Sequence, residues 1–355
     1  MRQAFGVTIP NREVQRALRL LRRLNLIDST LKLGRTSDAV LIPLVREPHD
    51  ENSDEIREQF AYVQISQYFF EEAKAKPRNL MEYLRGKIPE RLLPNLPHSF
   101  DIIGEIAVIE LSQELTEFSS AIGEGVLEIN PHLHLVLRKS SEVSGTFRTR
   151  KFEAIAGAGN TETIHKEFSC VLQLDVAKVY FNPRLSHERM RVARQVTEGE
   201  HVLDMFAGVG PYSILIAKTQ QDSKVCSIDI NPVAFRYLER NILLNQVADR
   251  VVPVFGDAGK LAARDLRGIA DRVIMNLPSE SSRFLEAAVK ALKEEGGVIH
   301  FYTFASRSDS VDEIKKAVRS TIESQGRIVH SFTFSDIIKE VAPNRVQVAL
   351  DVLVI

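Results

Sequence analysis

The chain has 355 residues, 44% of them hydrophobic and 26% charged, with a formal net charge of −1. That gives room for two or three soluble domains of ordinary composition and does not advertise nucleic-acid binding. It holds no run of about 18 uncharged apolar residues for a membrane span, and the opening MRQAFGVTIPNREVQ lacks the apolar core and cleavage site of a signal peptide. Two cysteines, Cys170 and Cys226, cannot build a disulfide scaffold, and no Cys/His spacing resembles a zinc site, so no metal is expected and a reducing cytoplasm fits. His132 and His134, one residue apart in NPHLHLVL, read as strand alternation rather than a metal pair.

In chain order, PNREVQRALRLLRRLNLID sets Val14, Leu18, Leu21 and Leu24 at helical spacing, with Asn11 as the expected N-cap. AVLIPLV reads as a strand, and this small N-terminal unit is expected to span 1–46. The acidic EPHDENSDEIREQ then opens a linker assigned to 47–79. A middle α/β domain over 80–174 follows, with strands in IIGEIAVIEL and HLHLVLR around a helix in ELTEFSSAIGEGVLE, and further strand signals in HKEFSCVLQLDVAKVYF. Over 175–355 apolar strands alternate with helices, which predicts a doubly wound, mainly parallel sheet. The last two strands, RIVHSFTF and VQVALDVLVI, have no crossover helix between them and should form an antiparallel hairpin closing that sheet.

Charge is unevenly spread. One basic cluster is Arg12, Arg16, Arg19, Arg22 and Arg23; a second is Arg138, Lys139, Arg148, Arg150 and Lys151; a third is Arg184, Arg189, Arg191 and Arg194. Together they could track a phosphate backbone, although each alone also suits a solvated helix face.

In LDMFAGVGPYS, Gly208 and Gly210 shape a strand-to-helix turn, but Ser213 replaces the third glycine of a dinucleotide fingerprint. Asp204 at the strand end would repel a pyrophosphate and suits an ammonium or sulfonium ligand. Asp229 ends the next strand, where an acid can accept from both ribose hydroxyls. Asp257, in FGDAG, is within reach of an adenine amino group. Singly these are ordinary caps or turn residues; three acids at successive strand ends fit S-adenosylmethionine (AdoMet). Phe206, Ile230 and Ala258, next to these positions, complete the expected cofactor contacts.

After the fourth strand, Asn276-Leu277-Pro278 has neither the second proline and aromatic of many exocyclic-amine methyltransferases nor a cysteine nucleophile for attack on carbon. The acceptor is therefore expected to be a ring nitrogen or another heteroatom. Guanine N1 carries a proton, so methylating it needs a general base and a cation on O6, where negative charge collects. In KVYFNPRLSHERMRVA, Glu188 is the candidate base and Arg184 and Arg189 the candidate charges. Glu188 in a helix's first turn is equally what the helix dipole favours.

VAKVYFNPRLSHER, VLDMFAGVGPYS, DINP and NLP together resemble the archaeal and eukaryotic tRNA (guanine-N1)-methyltransferases, which modify the guanosine at tRNA position 37. GTFRTRKFEAIAG and IHKEFSCVLQLDVAKVY resemble their middle domain, and the first 46 residues the small N-terminal domain of the archaeal members. The resemblance implies a Rossmann-like class I methyltransferase domain with a seven-stranded sheet, preceded by two smaller RNA-binding domains. It implies Glu188 as base, Arg148 on the guanine O6, and Tyr180 and Arg184 organising the base pocket. Asn276 and Pro278 would hold guanine near the methyl group; Arg189, Asp229, Asp257 and Asn276 would contact AdoMet; Arg12 and Arg16 would meet the tRNA elbow, with the anticodon loop at the active site. A cytoplasmic monomer is expected. One departure is SESS after NLP, without the Ala or His expected nearby. Wyosine-pathway relatives, which transfer an aminocarboxypropyl group or methylate 4-demethylwyosine, are the alternative; the aminocarboxypropyl enzymes usually lack the N-terminal domain. A catalytically dead RNA chaperone would not need Asp204, Asp229 and Asn276, and a small-molecule methyltransferase would not need the upstream domains.

Overall fold

In the computed structural model, which describes residues 1–60, 62–73 and 77–355, the first strand is Arg2–Pro10. It pairs antiparallel with Ala39–Pro43 on one side and Gln64–Phe70 on the other, and Gly34–Arg35 completes the sheet. The helix Val14–Arg23 buries Ala17, Leu20 and Leu21 against it, leaving Val14, Leu18 and Leu24 at the margin of the core. A 3-10 turn, Asn11–Glu13, precedes that helix, and Asn11 donates to the Ser37 carbonyl instead of capping it. The 47–79 linker expectation needs correcting: that run carries the helix Asp50–Gln59 and the strand Gln64–Phe70. Its acids coat a solvent face while Ile56, Phe60 and Phe70 are buried. The first compact unit therefore runs over Met1–Arg78, and the second over Asn79–Ile355. Residues 61 and 74–76 of the expected linker lie outside the described residues.

The second unit opens with a four-stranded sheet in the order Asp101–Ile103, Ile106–Ile109, Leu135–Lys139, Phe152–Gly157. The helix Ser119–Ile129 buries Ile122 and Val126 on one of its faces. From the other face, Ile106, Val108, Leu135 and Leu137 pack against Leu174, Val179, Val209 and Ala234, which joins this sheet to the layer that follows.

Next comes a hairpin, Glu162–Glu167 with Cys170–Asp175, turning at Phe168 and Ser169, both at positive φ as a tight hairpin turn requires. Two asparagines of the helix Pro232–Leu244 region hold this hairpin in place. Asn245 accepts from the Val171 N–H at 2.9 Å and donates to its carbonyl at 2.7 Å; Asn241 does the same for Gln173 at 2.8 and 2.9 Å. Each side-chain amide thus pairs with the backbone as a neighbouring strand would.

The main sheet has seven strands in the order Val251–Phe255, Lys224–Asp229, His201–Asp204, Arg272–Met275, Gly297–Ser306, Arg345–Val354, Val329–Ala342. The first five are parallel, and Arg345–Val354 runs antiparallel to both its neighbours in a C-terminal hairpin, as expected for the class I methyltransferase fold. Strand order reverses between His201–Asp204 and Arg272–Met275, and ligands of open α/β sheets bind at the carboxyl ends there. Among the described residues no helix is long and apolar enough to cross a membrane, and no group of three or more His, Cys, Asp or Glu is placed to hold a metal ion.

Candidate active site

A cavity of about 440 Å³ opens at this switch point. Its floor is the turn after His201–Asp204. Gly210 sits at φ 90° and starts the helix Pro211–Thr219; a Cβ there would lie 2.7 Å from Leu238 Cδ1, so helix packing also demands glycine. Gly208 is at φ 57°, and a Cβ on it would meet nothing nearer than the Tyr180 carbonyl at 3.8 Å, leaving backbone open to a ligand.

Two carboxylates line the cavity from strand ends. Asp229 accepts from the Gly208 N–H at 2.7 Å and the Asn231 N–H at 2.8 Å, tying two strand ends together, and burial raises its pKa. Asp257 caps the helix Ala258–Ala263 through Oδ1, accepting from Gly259 and Lys260 N–H at 2.9 and 3.1 Å. Phe206, Ile230, Ala258 and Phe284 line the same space, with Phe206 and Phe284 edge to face at 5.0 Å. Acids beside a flat apolar slot, above a glycine turn, fit an adenosine moiety: hydroxyls and an amino group to the acids, the ring against the phenylalanine pair.

On the opposite wall the cavity meets Thr146, Phe147, Arg148, Tyr180 and Asn276. Arg148 sits at φ 54° in the turn closed by the Ser144–Thr149 bridge, a conformation that costs a non-glycine residue free energy. Thus Arg148, Tyr180, Phe206, Gly208, Asp229, Ile230, Asp257, Ala258 and Asn276 are brought to one space.

Other expected site residues lie elsewhere, and three of them, Glu188, Arg189 and Asp204, are not on the cavity wall. Glu188 is 7% exposed and does not line the cavity. Its two oxygens accept from Arg191 Nε and Nη2 at 2.8 and 2.7 Å, and Oε1 also from the Tyr302 hydroxyl at 2.7 Å. Arg191 continues to Asp351, which His300 Nδ1 approaches to 2.6 Å. Burial alone would raise the Asp351 pKa, but His300 and Arg191 outweigh it and hold it low. Arg189 is fully buried, with Nε and Nη2 on Glu167 at 2.7 and 2.6 Å and Nη1 on the Asn182 carbonyl at 3.2 Å, so none of its donors faces the cavity. Asp204 lies behind the glycine turn: Oδ2 takes the Ser213 hydroxyl at 2.7 Å, Oδ1 has no partner among the described residues, and burial pushes its pKa up to about 7. Buried behind the turn and off the cavity wall, Asp204 does not meet a ligand there directly.

Arg184 donates from Nε to Asp101 at 2.5 Å, bridging to the middle sheet, and Pro278 accepts the Phe304 N–H at 3.2 Å. Arg12 and Arg16 are exposed on the first unit. Sequence reasoning missed Glu280, Arg283 and Phe284 on the wall. The available signal was the charged SES itself. Ser281, buried, donates to the Met275 and Leu277 carbonyls at 3.1 and 2.9 Å, so it closes the turn and presents Glu280 to the cavity.

A family model described as TRM5/TYW2 methyltransferase domain matches residues 163–330, and one described as TYW2 N-terminal domain matches residues 80–161. The tRNA (guanine(37)-N(1))-methyltransferase Trm5b of Pyrococcus abyssi is 38% identical over 347 residues, 98% of each chain. Among solved structures, the complex of aTrm5 and tRNALeu superposes with a TM-score of 0.70 at 31% identity, covering 98% of this chain and 99% of that one. P. horikoshii TYW2 in complex with MeSAdo superposes with a TM-score of 0.65 at 31% identity, covering 78% of this chain and 97% of that one.

Proposed function

The chain belongs to the TRM5/TYW2 methyltransferase family, and from that premise we propose that it methylates N1 of the guanosine at position 37 of tRNA. The observation that carries this reading is the single cavity in which Asp229 and Asp257 meet Arg148 and Tyr180 from upstream segments. The full-length match to a guanine-N1 enzyme, against the partial match to TYW2, supports methyl over aminocarboxypropyl transfer.

AdoMet, the cofactor of this family, supplies a methyl group on a sulfonium. In the proposed complex Asp229 takes the ribose hydroxyls, Asp257 and Ala258 the adenine edge, and the Phe206–Phe284 pair forms the apolar surface against which the ring lies. Arg148 stabilises the charge that develops on guanine O6, and Tyr180 and Asn276 hold the base. Glu188 takes the N1 proton. To do so its carboxylate exchanges the Tyr302 hydroxyl for the nucleoside, while Arg191 stays with Asp351. Support for this exchange comes from strand pairing: Phe304, two residues from Tyr302, is bonded to Pro278, so the Tyr302 strand abuts the Asn276–Pro278 turn. A second reading makes Glu280 the base, favoured by its place on the cavity wall. Arg12 and Arg16, exposed on the N-terminal unit, contribute tRNA contacts at the elbow.

The test is incubation of the full chain with AdoMet and tRNA transcripts carrying G or A at position 37, followed by nucleoside mass analysis. One added methyl on the G transcript alone is expected. An aminocarboxypropyl mass, or equal labelling of both transcripts, would overturn the assignment.

A further inference from the structure

Beside the cofactor cavity lies a smaller hollow of about 100 Å³ that shares Arg148 and Tyr180 with it. Four cations line it: Lys139, Arg148, Arg150 and Lys339. They converge from separate parts of the chain, the first from the strand Leu135–Lys139, the next two from the turn after it, and Lys339 from the C-terminal hairpin strand Val329–Ala342. Among the described residues the one carboxylate on its wall is Asp101, and Arg184 already holds it. Lys139 leans out to Glu110 at 3.2 Å, whereas Arg148, Arg150 and Lys339 have no ion-pair partner among the described residues.

Half-buried like charges gathered around a gap repel one another strongly where water is scarce. Burial lowers the Lys339 pKa most; Asp101 opposes the shift, and Arg184, Lys139 and Arg150 add to it. Arg148 adds the cost of its left-handed backbone. An anion in the gap would relieve the repulsion. The hollow is far below the roughly 300 Å³ of ordinary small-ligand pockets, which suits one phosphate group and excludes a nucleoside.

We infer that this hollow binds an RNA phosphodiester, one of the two flanking the nucleoside whose base enters the cofactor cavity. The inference rests on the proposed function, and it gives the C-terminal hairpin a part in seating the substrate: the clamp fixes the backbone while Tyr180 and Arg148, common to both spaces, meet the base.

The test measures binding of the full chain to tRNA at several salt concentrations, without turnover. Lys339→Met is expected to raise the tRNA Kd about tenfold, the scale of one charge-assisted contact, and to lower the slope of log K against log salt by about one. AdoMet affinity and melting temperature should stay in place, and Lys339→Arg should restore binding. A methylphosphonate at the clamped phosphate should weaken wild-type binding equally and add nothing to the loss in Lys339→Met. Arg150→Ala gives the same reading should Lys339→Met fail to fold. Unchanged affinity and slope in both variants, or losses that add, would overturn the clamp. Normal G37 methylation without these effects removes the clamp alone; the effects without G37 methylation remove the proposed reaction alone.

Discussion

The two walls of the cavity are held in different ways. On the cofactor side each acid is fixed by its immediate surroundings: Asp257 caps its own helix, and Asp229 bonds Asn231 two residues on and the neighbouring glycine turn. On the other side, the segment from Arg184 to Arg191, which follows Tyr180 but is not itself on the wall, is pinned by distant ion pairs, Arg184 to Asp101, Arg189 to Glu167 and Arg191 to Asp351. The first wall is pre-organised by backbone geometry. The second is backed by long-range polar contacts, and the proposed reaction would require one of them, Tyr302 to Glu188, to be exchanged.

The sharpest probe of that contrast is Glu188→Gln, expected to slow methyl transfer about a hundredfold or more, the usual scale of acid–base catalysis, with AdoMet affinity unchanged by calorimetry. Glu280→Gln should cost less than about tenfold in the same single-turnover assay; the reverse ranking would move the base to the cavity wall. On the pre-organised side, Asp229→Ala should raise the AdoMet Kd about a hundredfold by removing two charge-assisted hydrogen bonds. An effect on tRNA affinity of equal size would mean that the walls are not separable. Deleting residues 1–78 should weaken tRNA binding about tenfold by removing the phosphate contacts proposed for Arg12 and Arg16, yet leave the single-turnover rate near its full value. Ending the deletion at residue 46 should instead give an aggregating chain, because Gln64–Phe70 would lose its pairing with Arg2–Pro10.

The smallest effect concerns pH. Asp204 has its pKa pushed from 3.8 to about 7, so the folded chain keeps a proton that the unfolded chain gives up. Its contribution to stability is full below 3.8 and is lost as pH rises through about 7. Melting temperature of the wild type should therefore fall across that window relative to Asp204→Asn, by a few degrees. Parallel curves would show that the carboxyl is ionised throughout.

The same contrast explains what could be read in advance. Strands such as KVCSIDI and DRVIMNLP are apolar runs buried on both faces, a signal contained within one segment, and an acid at the end of such a strand has one place to go. The N-terminal unit offers weaker signals. RQAFGVTIP mixes polar and apolar residues, and DENSDEIREQ hides one buried side chain, Ile56, behind nine polar neighbours. In the site, position along the chain indicates where Asp257 and Asn276 stand, but not where Glu188 points. That depends on Tyr302 and Asp351, more than a hundred residues away. Arg189 illustrates the same limit: its burial follows from Glu167, whose pairing no local pattern reveals.

The amides of Asn241 and Asn245 have a consequence of their own. By occupying both the donor and the acceptor of Val171 and Gln173, they leave that stretch of hairpin border nothing to offer a foreign strand, a protection usually supplied by charge, proline or a covering element. Exchanging either for leucine would uncover a short template for self-association in a region remote from the chemistry.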